Sequence, residues 1–156
     1  MVESSTKHYC TTEEKRRMLA IINSCYFENG ILSAADYFYK DLQKRYPDSE
    51  APLLLLLDIA TSHIQEEHCI EGILHILGGL TAKEAQPIGS LIVMVCANHR
   101  SPVIAELVIS CFEVWDYIDG IPFLRALDIS EAWMRRYRDE VVSNLEAIDK
   151  NKGIGE

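Results

Sequence analysis

The run richest in chemistry-bearing side chains is His63-Ile64-Gln65-Glu66-Glu67-His68. Two histidines four apart on a helix meet on one face and can share a zinc ion with a nearby carboxylate. Here the spacing is five, which sets the rings about 140° apart around a helix, so both cannot reach one ion without a break. His63 with Glu67 is the compatible pair, and only a bend near Glu66 would add His68. Polar residues at a helix end are the simpler reading. His75 stands among Ile73, Leu74, Ile76 and Leu77 and reads as a satisfied boundary residue. Asn98, His99 and Arg100 precede Ser101, where an anion could meet a helix start. The chain carries no Gly-rich phosphate loop, nucleophile elbow or paired-carboxylate motif. The expectation is therefore a non-enzymatic protein with no catalytic residue, no metal site and no cofactor.

The elements that position these residues are helical. Thr11 with Glu14 spells a capping box for a helix that carries Met18, Leu19, Ile22 and Cys25 on one face and ends by Gly30. Ser33 caps a return helix toward Tyr46, and Pro52 suits the first turn of a leucine-rich third. A fourth helix runs through Ile70, Ile73, Leu74 and Leu77 to Gly78-Gly79. Thr81 with Glu84 spells a second box, and Pro87 should kink or restart that helix. Ser101-Pro102 opens another, Ile121 to Leu127 forms a short segment, and Ser130 caps a last helix that frays from Lys150. Sustained period-two alternation and Asn-Gly or Asp-Gly hairpin turns are lacking. The sequence predicts an all-α fold of about eight helices in a single domain spanning 1–156.

Pro52, Pro87 and Pro122 stand thirty-five residues apart, and at that period the apolar residues form columns. Four units tile the chain, 17–51, 52–86, 87–121 and 122–156. First-helix columns are Ile21, Leu56, Leu91, Ala126 and Ile22, Leu57, Ile92, Leu127; second-helix columns are Tyr39, Leu74, Ile109 and Leu42, Leu77, Phe112, Ala147. A helical hairpin cannot bury its apolar face alone, so such a period predicts stacked antiparallel hairpins, a short α-solenoid. Helices of similar length would also give some coincidence at this spacing.

The stretch SPVIAELVISCFEVWDYIDGIPFLRAL, with an acidic turn followed by an Ile-Pro start, resembles a HEAT repeat. The resemblance covers the third unit and the start of the fourth. It implies a HEAT/armadillo-like protein-binding module. A recurring Asp/Arg pair at the turn, usual in that family, is missing here.

The net charge is −9, and most of it is central: residues 52–121 hold nine acids against two bases. In the second helices Asp36, Glu71 and Glu106 share a lattice column, so stacking would align them on one surface, with Glu67, Glu113 and Asp116 nearby. A row of like charges is relieved by a basic partner. An ordinary solvated face is the plainer alternative. The acidity argues against nucleic acid. The basic-aromatic run Trp133 to Arg138 reads as an amphipathic helix with Trp133, Tyr137 and Val141 inward and its arginines solvated.

Tyr37, Phe38 and Tyr39 span a wide helical arc, which offers Tyr37 or Tyr39 as an exposed anchor. The five cysteines suit reduced, buried thiols, and MVESSTKHYC carries no secretory pattern, so a cytoplasmic setting is expected. No uncharged run reaches the ~18 residues a membrane span requires. In size, acidity and lack of catalytic signature the chain resembles immunity proteins of bacterial toxin systems. That resemblance implies occlusion of a basic partner, a toxin domain such as a nuclease, by the acidic face. A helical adaptor or chaperone subunit is the alternative, and a small metal-dependent enzyme on His63, Glu67 and His68 a third.

Overall fold

Thr11 and Glu14 close their capping box, each side chain bonded to the other's backbone N–H, and helix α1 follows from Thr12 to Ser24. The computed structural model describes residues 9–97 and 99–154, all of them in helices, turns or loops. Ser33 with Asp36 closes a second box on α2 (Ala34–Arg45), and Pro52 lies in the first turn of α3 (Ala51–Ser62). Helix α4 spans Glu67–Gly78. Thr81 with Glu84 caps the single-turn α5 (Ala82–Ala85), and Pro87 forces the expected restart as α6 (Ile88–Cys96). Ser101 accepts from Val103 N ahead of α7 (Pro102–Val114). A 3₁₀ turn at Ile118–Gly120 leads into α8 (Ile121–Arg125), and α9 covers Ala132–Ile154.

Two boundaries differ from expectation. The last helix starts after Glu131, whose carbonyl accepts from Arg135 N, while the Ser130 hydroxyl turns to the Glu131 carboxylate instead of capping. Helix α9 also continues through Lys150 to Ile154, past the point where the sequence suggested fraying.

The helices form two rows. One holds α3 and α6 in contact; the other holds α4, α7 and α9 in succession, with α4 against α7 the most extensive contact. Two bonds fix the register of that pair: the Cys111 thiol points to Leu74 O at 3.6 Å, and Trp115 Nε1 donates to Leu80 O at 3.1 Å across a 35-residue separation. Both contacts advance the same way along the chain, so neighbouring units repeat in parallel at close to the lattice period. The columns Tyr39, Leu74, Ile109 and Leu42, Leu77, Phe112 are fully buried between the rows. Each such side chain contributes on the order of 1.5–3 kcal/mol relative to exposure. Repetition is incomplete: Leu91 is 54% exposed on the outer side of α6, and Ala126 and Ala147 in the last unit face solvent.

The first unit departs most. It is α1, more than α2, that lies along α4 and extends the second row, while α2 touches both α3 and α4. Residues Cys25 to Ser33 form a long connection between α1 and α2, because Gly30, at φ 80°, marks a turn inside the loop and the helix itself stops at Ser24.

Candidate groove on the second-helix row

The end of α1 and the loop after it are fastened to α4 by two histidines seven residues, or two turns, apart along the same face. His68 Nε2 donates to Ile22 O at 3.0 Å, and His75 Nε2 donates to Ile31 O at 3.2 Å. Between them the Phe27 ring meets both imidazoles, with centroids 5.4 Å from His68 and 5.1 Å from His75. The ring can lie this low because position 72 has no side chain: a Cβ on Gly72 would fall 2.7 Å from Ile22 Cγ2 and 2.8 Å from Phe27 Cζ. The loop is thus a fixed wall and not a loose connection.

His75 also stands 3.1 Å from the Asp36 carboxylate. Burial works to raise the Asp36 carboxyl, but the bonds from His75 and from Ser33 N and Oγ win and hold it below its ordinary range. The same bond from Asp36, helped by Ile31 O and the charge of Glu71, outweighs burial and raises the His75 imidazole.

Beside this pair an open groove of about 480 Å³ runs between the loop, α4 and α7. Ile31, Leu32, Leu74, Leu107 and Val114 line it, with Asp36 and His75 at its base. Ile31 is 58% and Val114 55% exposed, and Leu32 is also open to solvent. Asn29, Leu107 and Ser110 carry the surface on into a notch of about 290 Å³ between α7 and α9, walled by Glu106, Trp133 and Tyr137. Tyr137 OH donates to Glu113 at 2.7 Å; burial and that carboxylate push the phenol's ionisation upward. Groove and notch form one continuous apolar surface with acids on its α7 side. A cluster of exposed apolar side chains flanked by charge is how interaction surfaces on monomers stand out.

The residues singled out from the sequence distribute unevenly. Glu106 lines the notch, Glu113 borders it through Tyr137, and Glu71, half-buried, holds the turn of α4 that matches Glu106 on α7. Asp36 leaves the proposed ladder: it is 5% exposed, occupies the capping box of α2, and meets α4 at His75, one turn beyond Glu71. The lattice misplaced it because α1, more than α2, continues the row. Tyr39 is 2% exposed and belongs to the core, with burial raising its phenol's ionisation, so it is no anchor. Tyr37 is exposed on α2, away from the groove lining. Glu67 is exposed in the first turn of α4, at the far end from the groove, and Asp116 is exposed past the end of α7 at φ 48°.

Trp133 corrects a second expectation, since it is 48% exposed and faces the notch; Val141 turns inward as expected, and Met134 and Leu145 join it there. Two of the arginines beside it are not simply solvated. Arg135 donates to Ile129 O and Ser130 O, and Arg138 to Leu124 O, so both are drawn toward the α8 end of the molecule. Ile31, Leu32 and Val114 gave no sequence signal beyond being apolar at a helix end or in a loop.

The polar run 63–68 does not converge. His63 Nδ1 contacts Glu66, while His68 turns to Ile22 O. Among the described residues no group of three or more His, Cys, Asp or Glu side chains could hold a metal ion. Asn98 lies outside the described residues, and His99 Nδ1 accepts from Ser101 N at 3.2 Å. The five cysteines are free; burial pushes the Cys69 thiol to about 11 and that of Cys96 to about 12, which leaves both protonated and unreactive at neutral pH. No helix among the described residues is long and apolar enough to cross a membrane.

Fold and site together define a stack of helical hairpins bearing one acidic-edged apolar groove on its second-helix row. No protein-family model, no curated protein and no solved structure matches the chain.

Proposed function

We propose that the chain is a protein-binding module that neutralises a basic partner by occlusion, as an immunity protein does to its toxin domain. The observation that carries this reading is the placement of Ile31, Leu32, Val114 and Trp133, all open to solvent, beside Glu106 and Glu113 on one continuous surface. Apolar side chains at the centre of a contact provide most of the binding energy once water is excluded. Carboxylates around them speed the encounter with a basic cleft and disfavour wrong partners. The rest of the middle segment, with nine acids against two bases, extends that field. A nuclease cleft, shaped for phosphate, is the kind of basic surface such an edge would cover.

Affinity capture with the tagged native chain, followed by identification of the bound protein, tests the reading. One basic protein should be recovered, and V114D and E106K should each lower its recovery at least tenfold while leaving the helical circular dichroism intact. Equal recovery by both variants would rule the groove out as the interface. Recovery of a stable multi-member assembly would favour an adaptor.

A further inference from the structure

The notch between α7 and α9 has walls of two kinds. Trp133 and Tyr137 are four apart on α9, so their rings lie one above the other on a single helical face. Glu106 and Ser110 are likewise four apart on α7, and Glu113 continues that face, holding the Tyr137 hydroxyl at 2.7 Å. The result is an aromatic wall opposite a carboxylate wall, enclosing about 290 Å³. Trp133 keeps nearly half its surface in water, although the inward side of the same helix is fully packed by Met134, Val141 and Leu145. Of the three arginines beside these rings, Arg135 and Arg138 are bonded to carbonyls at the α8 end, which leaves their charge outside the notch, and Arg136 is not among the residues that line it.

We propose that this notch is a receptacle for one arginine side chain of the partner, its guanidinium stacked on the Trp133 indole and hydrogen-bonded to Glu106. The site rests on the protein-binding reading above and adds the chemistry of its anchor. The match is to guanidinium for three reasons. A planar cation stacks on an indole face, where the ring quadrupole attracts it. Its N–H fork can reach a carboxylate at the ring's edge while the plane remains stacked. Its weaker hydration, compared with an ammonium, makes entry into a partly apolar notch less costly. Ser110, on the same wall, offers a hydroxyl acceptor for a remaining donor. A neutral apolar side chain would leave Glu106 facing a dry contact without a partner.

The experiment needs no natural partner. Nα-acetyl-arginine methylamide is titrated into the ¹⁵N-labelled protein, with the isosteric citrulline derivative as the uncharged control. The indole N–H of Trp133 and the amides of Ser110 and Tyr137 should shift saturably in the millimolar range, while the buried indole of Trp115, bonded to Leu80 O, should not move. Glu106→Gln should weaken the apparent binding about tenfold, and Trp133→Leu should abolish the shifts at Ser110 and Tyr137. Absence of saturation, or equal shifts with citrulline, would overturn the receptacle. If the arginine derivative fails but V114D still loses the captured protein, the notch is wrong and the groove reading stands. If the derivative binds and E106K loses the captured protein while V114D captures normally, the notch stands and the groove reading falls. Normal capture by E106K would overturn the receptacle, because Glu106 is its carboxylate.

Discussion

His75 on α4 and Asp36 on α2 meet at 3.1 Å, and the same His75 nitrogen holds Ile31 O, so one imidazole fixes both the start of α2 and the wall of the groove. The pair is well covered, with side chains 11% and 5% exposed. The raised His75 contributes stability that is fully present below its ordinary 6.5 and is lost as pH rises through the higher folded value. The depressed Asp36 contributes stability that is present above its ordinary 3.8 and is lost as pH falls through the lower folded value. The two together act fully only between about 3.8 and 6.5. His75→Gln should therefore cost about 2 kcal/mol near pH 5.5 and less at pH 8.5, since a glutamine amide donates but carries no charge. Urea unfolding at both pH values checks it; an equal loss at each would mean the charge plays no part.

Gly72 and Phe27 give a steric counterpart. A methyl group at position 72 would lie 2.7 Å from Ile22 Cγ2 and 2.8 Å from the Phe27 ring, inside any tolerable contact. Alanine is the better helix former by about 1 kcal/mol, so propensity alone predicts a more stable protein. Overpacking costs typically about 1–3 kcal/mol, and both neighbours are held in place, Ile22 in the core and Phe27 between two histidines. Gly72→Ala should thus destabilise by up to about 2 kcal/mol net. Adding Phe27→Leu should cost less in the G72A background than in the native chain, a coupling that thermal melts of the four proteins would reveal.

Much of this architecture could be read from residue types and spacing because the signals were local. The capping pairs Thr11/Glu14 and Thr81/Glu84 need only their own turn, and they form as spelled. The thirty-five-residue period is realised where α4 meets α7, down to the Trp115 bond to Leu80 O. Asp36 failed for a reason of the same kind. Ser33-x-x-Asp36 is itself a capping box, and the side chain that closes a box is turned back on its own helix and cannot join an outward ladder. His75 as its partner was not legible, since that contact depends on the long loop letting α1 take the row position that the period assigned to α2. Trp133 was misread because two helical faces were available to its apolar neighbours, and Met134 won the inward one.

Glu14 joins the first two helices as His75 joins the second and fourth. Its carboxylate accepts from Thr11 N, from Arg45 Nη1 at 2.6 Å and from Tyr46 OH at 2.6 Å, which ties the start of α1 to the end of α2. Burial opposes its ionisation, yet the bonds from Tyr46, Thr11 and Arg45 hold its carboxyl below the usual range. Arg45 is 47% exposed, so solvent screens that part and the hydroxyl and cap bonds matter more. Glu14→Ala should cost about 2 kcal/mol. The native protein should also lose this contribution as pH falls through the depressed value, below the ordinary 4.5, and the variant should show a flatter acid limb in a pH series of unfolding midpoints.

Charge reversal separates the acids that face a partner from the acid that holds the fold. Glu106 and Glu71 stand on matched turns of α7 and α4, half-exposed, whereas Asp36 is enclosed by His75 and Ser33. Reversing Glu106 places a lysine where the proposed arginine would enter, so association with the captured basic protein should slow by about tenfold at low salt. Much of that difference should vanish above about 0.5 M salt, where the screening length falls to a few ångströms. Glu71→Lys should show a smaller effect of the same sign, because it lies outside the notch. Asp36→Asn removes a negative charge too, yet it should lower the unfolding midpoint and leave the low-salt association rate nearly unchanged. Stopped-flow association at two salt concentrations, paired with a melt of each variant, checks the division. An Asp36→Asn variant that slows association as much as Glu106→Lys would return Asp36 to the interacting surface and with it the three-residue ladder.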